Sequence, residues 1–356
     1  LRERNLGWTL GLALLISLLL SSESAAGDPM VPLIDMGAGT YHGFEGGLYP
    51  GGINVPPASH SQVGLLQSSR VEPRDTNGTP DPSGKIVFLS IGMSNAQQFF
   101  CGNKALPPDC DAESFMGKAL LDPQVNNSDM IMINGAAGNA IAAAWASPSA
   151  PLYNEIRDDS LFYYGLSEAQ VQVVWILVAN LTPSVSLPEM NADVFFLESH
   201  LGNIMRTLRT RYPNLAQVFV ASRTYAGYAT KNLNPEPYAY EMGFAVKWLI
   251  EAQIEQMSGA EIDPIAGDLT YNLAAPWLAW DSYAWANGST PNSEGLFWLL
   301  EDFIEDGTHP SLLGVDKRSE RMVDFFKSSP FTTCWFLSTP VCPDLTQVFL
   351  PAVAEE

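Results

Sequence analysis

From Lys85 onward, short apolar runs alternate with longer stretches in which apolar residues recur every three or four positions. Lys85–Ile91, Met130–Ile133, Val171–Val178 and Gln217–Ser222 are the short runs. Apolar runs of this length read as strands buried on both faces. Asn191–Arg211, Tyr238–Met257 and Leu312–Phe326 carry the spacing of amphipathic helices. Strands alternating with helices imply a parallel sheet, because parallel neighbours need a crossover and the crossover helix covers the sheet face. The pattern therefore predicts a three-layer α/β/α domain over residues 85–328. Residues 27–84 before it are dense in Gly, Pro, Ser and Asn and predict a loop-rich extension. Residues 329–356 form a tail with one pair of cysteines.

Composition narrows the class. Of 356 residues, 46% are hydrophobic and only 16% charged, which suits a large core and not a disordered chain. Acidic side chains number 39 against 18 basic ones, a net charge of -21. With no Lys/Arg-rich run, there is no basic footprint for a phosphate backbone or an anionic membrane surface, so nucleic acid is not expected as a partner.

The first residues set the expected compartment. Arg2 and Arg4, the apolar stretch Trp8–Leu20 and Ser24-Ala25-Ala26 predict a secretory signal peptide over residues 1–26. The apolar stretch falls short of the roughly 20 residues of a spanning helix, with an uncleaved anchor as the alternative. No later segment reads as membrane-spanning. Removing residues 1–26 takes away two charges of each sign, so the net charge stays at -21. The four cysteines fall as two local pairs, and the preferred pairing is Cys101 with Cys110 and Cys334 with Cys342, as suits a secreted or periplasmic protein. Neither pair has the close spacing of a zinc knuckle, and no metal or cofactor is expected. Sequons occur at Asn77, Asn126, Asn180 and Asn287.

In α/β sheets the ligand crevice lies at the carboxyl ends of the strands, which is where chemistry is to be sought. The first predicted strand runs into Gly92-Met93-Ser94-Asn95-Ala96 and then a helix. A serine on such a turn is a candidate nucleophile, with the free N–H groups of the helix start nearby to stabilise negative charge. Its bland alternative is a helix cap. A serine nucleophile needs a base, and the chain has four histidines. His42 and His60 lie in the extension and His200 within a helical stretch. His309 sits in the polar loop Glu305-Asp306-Gly307-Thr308-His309-Pro310, where Asp306 is placed to orient the imidazole. The alternative for Asp306 and His309 is a turn with a helix cap.

These residues resemble the SGNH, or GDSL-type, hydrolase superfamily over residues 85–328. In that family the nucleophile follows the first strand, and an Asp-x-x-His block precedes the last helix, as Ser94 and Asp306-Gly-Thr-His309 do here. Gly92-Met93-Ser94-Asn95 is similar to the Gly-Gln-Ser-Asn form of carbohydrate acetylesterases in the same superfamily, although Met93 departs from it. The resemblance implies a flavodoxin-like parallel sheet and a Ser94–His309–Asp306 triad. It also implies an oxyanion hole from Ser94, a glycine after the second strand and an asparagine after the third. Gly138 is the preferred glycine, Gly135 its alternative, and Asn180 the asparagine, although Val178 stands where the family has a glycine. The rival α/β-hydrolase elbow requires a second glycine where Ala96 stands.

Asn95, Tyr225 and Tyr228 are the candidate substrate contacts. Arg223 is a candidate for an anionic group or a structural carboxylate. Trp277, Trp280, Tyr283, Trp285 and Trp298 form an aromatic set that suits either sugar stacking or a core. Arg206, Arg209 and Arg211 end a helix, where cations suit the dipole. The function implied is a secreted esterase acting on a small-molecule or polysaccharide ester, with a lipase or short-chain acyl esterase as the enzymatic alternative. A non-catalytic carbohydrate-binding or cell-surface protein is the other alternative.

Overall fold

The computed structural model describes residues 29–102 and 109–344. The expected signal segment and the last part of the tail lie outside the described residues. Five strands form the main sheet: β1 (Ile86–Gly92), β2 (Met130–Asn134), β3 (Val171–Leu177), β4 (Gln217–Val220) and β5 (Trp277–Trp280). Their order is β2-β1-β3-β4-β5, and all neighbours run parallel. This is the flavodoxin-like order, which reverses direction between β1 and β3. β1, β3, β4 and β5 are buried along their whole length, which explains why their sequences read as continuous apolar runs.

The main helices are α1 (Ala58–Ser68), α2 (Ser94–Cys101), α3 (Phe115–Leu121), α4 (Asp193–Arg211), α5 (Tyr238–Met257) and α6 (Leu312–Ser328). β1 crosses to β2 in one direction along the sheet, and β3 to β5 run in the other. Right-handed crossovers therefore put α2 and α3 on one face and α4 and α5 on the opposite one. Packing agrees, with α6 lying against α2 and α3, and α4 against α5. Val315, Ser319, Met322, Val323 and Phe326 form the buried stripe of α6. Its N-terminus is capped by Ser311, whose hydroxyl accepts from the Gly314 N–H.

Two features differ from the pattern reading. β5 was hidden in the aromatic set, because four residues of Trp-Leu-Ala-Trp have no period that separates a strand from a ligand-binding cluster. The extension, expected to be loop-rich, also holds a regular helix. That helix, α1, lies against β5 and so covers an edge of the sheet. Trp277 Nε1 donates to the His60 carbonyl (3.0 Å), Trp280 Nε1 to that of Leu48 (2.8 Å), and Tyr240 Oη to that of Val31 (2.6 Å). Buried Lys247 donates to the carbonyls of Gly46 (2.6 Å) and Glu45 (2.9 Å). The aromatic side chains thus serve as anchors for backbone that has little secondary structure of its own.

Both cysteine pairs are disulfides, Cys101–Cys110 and Cys334–Cys342. Among the described residues no helix is long and apolar enough to cross a membrane.

A buried ion pair joins the layers. The Arg318 guanidinium of α6 bonds the Asp281 carboxylate just past β5, which also accepts from Trp175 Nε1 of β3 at 2.6 Å. Arg318 donates further to Ser282 Oγ at 2.7 Å. Both charged residues are nearly inaccessible, so removing one leaves the other buried without its counter-charge. Asp281→Ala is expected to lower unfolding free energy by about 3–5 kcal/mol in chemical denaturation. Removal of the exposed Asp158 beside Arg157 is expected to leave the denaturation midpoint unchanged.

Candidate active site

β1 ends at Gly92, whose φ of +148° and surroundings admit no side chain. A Cβ there would lie 2.2 Å from the Leu177 carbonyl oxygen of β3. Met93 N–H donates to that same oxygen (3.2 Å), and the chain then enters α2 with Met93 as N-cap. Ser94 is therefore the first helical residue, and its side chain does not cap the helix. Ser94 Oγ instead lies 2.8 Å from His309 Nε2, across a separation of 215 residues.

The other end of the imidazole sets its proton positions. His309 Nδ1 lies 2.6 Å from Asp306 Oδ2. A carboxylate only accepts, so Nδ1 carries the proton and Nε2 is left to accept from the Ser94 hydroxyl. Asp306 Oδ1 accepts the backbone N–H groups of Thr308 and His309, both at 2.9 Å. Burial pushes the Asp306 carboxyl up, but the bonds from the His309 ring and the two N–H groups outweigh it and hold the pKa below its ordinary value. Asp306 is thus ionised wherever His309 needs a fixed acceptor. Gly307 between them has φ +64°, and a Cβ there would meet the Tyr228 carbonyl oxygen at 1.9 Å. The loop is packed directly on the segment that leaves β4.

An open cleft lies over the carboxyl ends of the strands and is bordered by Ser94 and His309. Asn180, three residues past β3, also borders it and donates one amide hydrogen to the Asp193 carbonyl (2.8 Å). A primary amide has a second N–H, which that bond leaves unspent. After β2, the Gly135 N–H is committed to the Ser90 carbonyl (2.9 Å). Gly138 stands in an exposed turn, and among the described residues its N–H donates to no backbone acceptor. The cleft wall itself is made by its neighbour Asn139, at φ +62°.

The proposed substrate contacts fall differently. Tyr225 and Tyr228 do not border the cleft; their rings pack edge-on at 5.1 Å beside a cluster that includes Trp298 and Phe303. Tyr228 Oη donates to the Trp298 carbonyl at 3.2 Å. All five residues of the aromatic set are buried and none borders the cleft. Asn95 does border it, but its amide is engaged at both ends, by the Thr308 carbonyl and by Arg223. Arg223 enters the wall from the segment after β4, and Asn234, a residue no sequence signal marked, also borders the cleft. Both are mostly buried, and the Asn234 amide oxygen has no hydrogen-bond partner.

The remaining histidines and arginines lie elsewhere. His60 is held between Tyr271 Oη (2.7 Å) and the Leu278 carbonyl (2.8 Å), and burial pushes its pKa down to about 4. His200 is on α4 and His42 in a tight turn with φ 51°. Arg206 and Arg209 bond loop carbonyls beside α4, and Arg211 pairs with Glu168. Among the described residues no group of three His, Cys, Asp or Glu side chains is arranged to hold a metal ion.

No family model and no curated protein matches the chain. Solved structures similar to it include a GDSL-like lipase candidate from Parabacteroides merdae, at 14% identity over 71% of this chain and 97% of that one, with a TM-score of 0.37. An extracellular lipase from Streptomyces rimosus is 12% identical over 67% of this chain and 98% of that one, with a TM-score of 0.32. A carbohydrate acetylesterase from Sinorhizobium meliloti is 13% identical over 67% of this chain and 97% of that one, with a TM-score of 0.34. Likeness at this level carries no chemistry, and the site rests on its own distances.

Proposed function

We propose that the chain is a secreted serine esterase, and the observation that carries this reading is the continuous hydrogen-bonded line from Ser94 through His309 to Asp306. Ser94 Oγ attacks the ester carbonyl as His309 Nε2 takes its proton. The ionised Asp306 holds the imidazolium that forms. The carbonyl oxygen becomes an oxyanion, for which the Ser94 N–H, the Gly138 N–H and the second Asn180 amide hydrogen are the donors. Collapse breaks the bond to the alcohol oxygen, which leaves with the proton from His309. Water, deprotonated by His309, then attacks the acyl-enzyme and releases the acid, restoring Ser94.

Apolar side chains of Ile141, Leu181 and Leu233 border the cleft alongside its polar groups, which supports a short acyl chain. The similarity of Gly92-Met93-Ser94-Asn95 to the acetylesterase form supports an acetyl ester on a carbohydrate. The two disulfides support an oxidising, extracytoplasmic setting.

Ser94→Ala is expected to reduce kcat on a chromogenic acetyl ester by at least about 10³-fold, and to abolish labelling by a fluorophosphonate probe. Equal turnover by the two proteins removes Ser94 as nucleophile. Asn180→Ala is expected to lower kcat/KM on the order of 100-fold, equivalent to about 2.7 kcal/mol of transition-state stabilisation, with the melting temperature as a control for folding. An unchanged kcat/KM takes Asn180 out of the oxyanion hole. Its Asn-Leu-Thr sequon adds a second check: full glycan occupancy at Asn180 with retained activity does the same.

A further inference from the structure

Asn95 directly follows Ser94, is buried, and is bonded at both ends of its amide. Its Nδ2 donates to the Thr308 carbonyl at 3.0 Å, and its Oδ1 accepts from Arg223 Nη1 at 2.5 Å. The direction of these two bonds is forced by chemistry. A guanidinium can only donate and a carbonyl can only accept, so Arg223 must face the amide oxygen and Thr308 the amide nitrogen. Arg223 therefore selects one of the two flip states of Asn95, and that state is the one able to hold Thr308, the neighbour of His309.

Arg223 is an expensive residue to place here. It is 2% exposed, and its Nε and Nη2 have no hydrogen-bond partner. No carboxylate forms an ion pair with it among the described residues; Glu236 and Asp306 act on it only through their fields, and burial lowers its pKa to about 10. Glu236 is itself occupied by the N–H groups of Ala226 and Tyr240 and by Trp285 Nε1. A buried guanidinium with a single side-chain bond is a poor stabiliser of the fold. The segment that follows it also grips the histidine loop, through Thr230 N–H to the Asp306 carbonyl (2.9 Å) and the close approach of Gly307 to the Tyr228 carbonyl.

We propose that Asn95 and Arg223 are positioning residues, a clamp that ties the start of α2, the exit of β4 and the histidine loop together and so keeps His309 Nε2 in register with Ser94 Oγ. Its catalytic consequence rests on the esterase reading above. The side-chain hydrogen bonds of Asn95 and Arg223 go to the Thr308 carbonyl and to each other, not to Ser94 Oγ or the His309 ring. They fix where the imidazole sits, and misplacement of a base by about 1 Å is worth about 10²-fold in rate.

The test uses Asn95→Asp, which keeps the shape and the acceptor for Arg223 but removes the donor to Thr308. On a chromogenic acetyl ester, kcat is expected to fall at least tenfold with KM changed less than threefold. The low-field proton resonance of the His309–Asp306 bond, assigned by its loss in His309→Ala, is expected to shift or broaden. Arg223→Lys, which keeps charge and a donor for a single bond, is expected to retain more kcat than Arg223→Met, with both melting transitions recorded. A resonance in Asn95→Asp identical to that of the unmodified protein overturns the clamp. If the unmodified protein turns over no ester and Ser94 takes no fluorophosphonate, the esterase reading falls, and the resonance still decides the clamp.

Discussion

Five parallel strands buried between two helical layers impose one constraint from which the rest of the architecture follows. Every strand must leave the sheet at the same edge, because each crossover returns the chain to the opposite edge before the next strand begins. Ser94 after β1, Asn139 after β2, Asn180 after β3 and Arg223 after β4 are far apart in sequence, yet all emerge around one cleft. The reversal of strand order beside β1 opens the space between the turns after β1 and β3. The backbone accommodates this closely enough that Gly92 has no room for a side chain against the carbonyl of Leu177.

The histidine loop comes from outside the sheet and must be brought to the cleft by other means. It does so through polar contacts rather than apolar packing. The two N–H groups on Asp306 Oδ1 fold the loop on itself, Thr230 and Tyr228 press against it from the β4 side, and Asn95 reaches it from α2. These bonds are directional, so they fix orientation in a way that an apolar contact of the same area does not. The buried Asp281–Arg318 pair acts at larger scale, holding α6, which follows the loop, onto the ends of β3 and β5.

The extension shows the reverse balance. Its backbone is poor in regular structure, and indole, phenol and ammonium groups of the main domain satisfy its carbonyls. Large aromatic side chains with one polar atom suit this work, since the ring fills the core while the N–H or O–H reaches the wrapped strand. This is why the Trp277 and Trp280 side chains serve packing and leave the cleft to small polar and aliphatic groups.

The strand and helix pattern was legible because burial imposes period on a sequence: β1, β3, α5 and α6 lie within a residue or two of where apolar spacing put them. That Ser94, Asp306 and His309 meet in one hydrogen-bonded line was expected from sequence, because the roles proposed for them are restricted to few residue types and four histidines left few choices. The packing of residues 29–84 and the strand β5 were not, because they are set by contacts with residues some 200 positions away and leave no local period. The same holds for Asn95, Tyr225, Tyr228 and Arg223. Sequence placed all four near strand ends, but only the folded chain determines which way each side chain turns. Two tyrosines go into an aromatic cluster, while Asn95 and Arg223 join across 128 residues, because buried donors and acceptors must find partners in space and not along the chain.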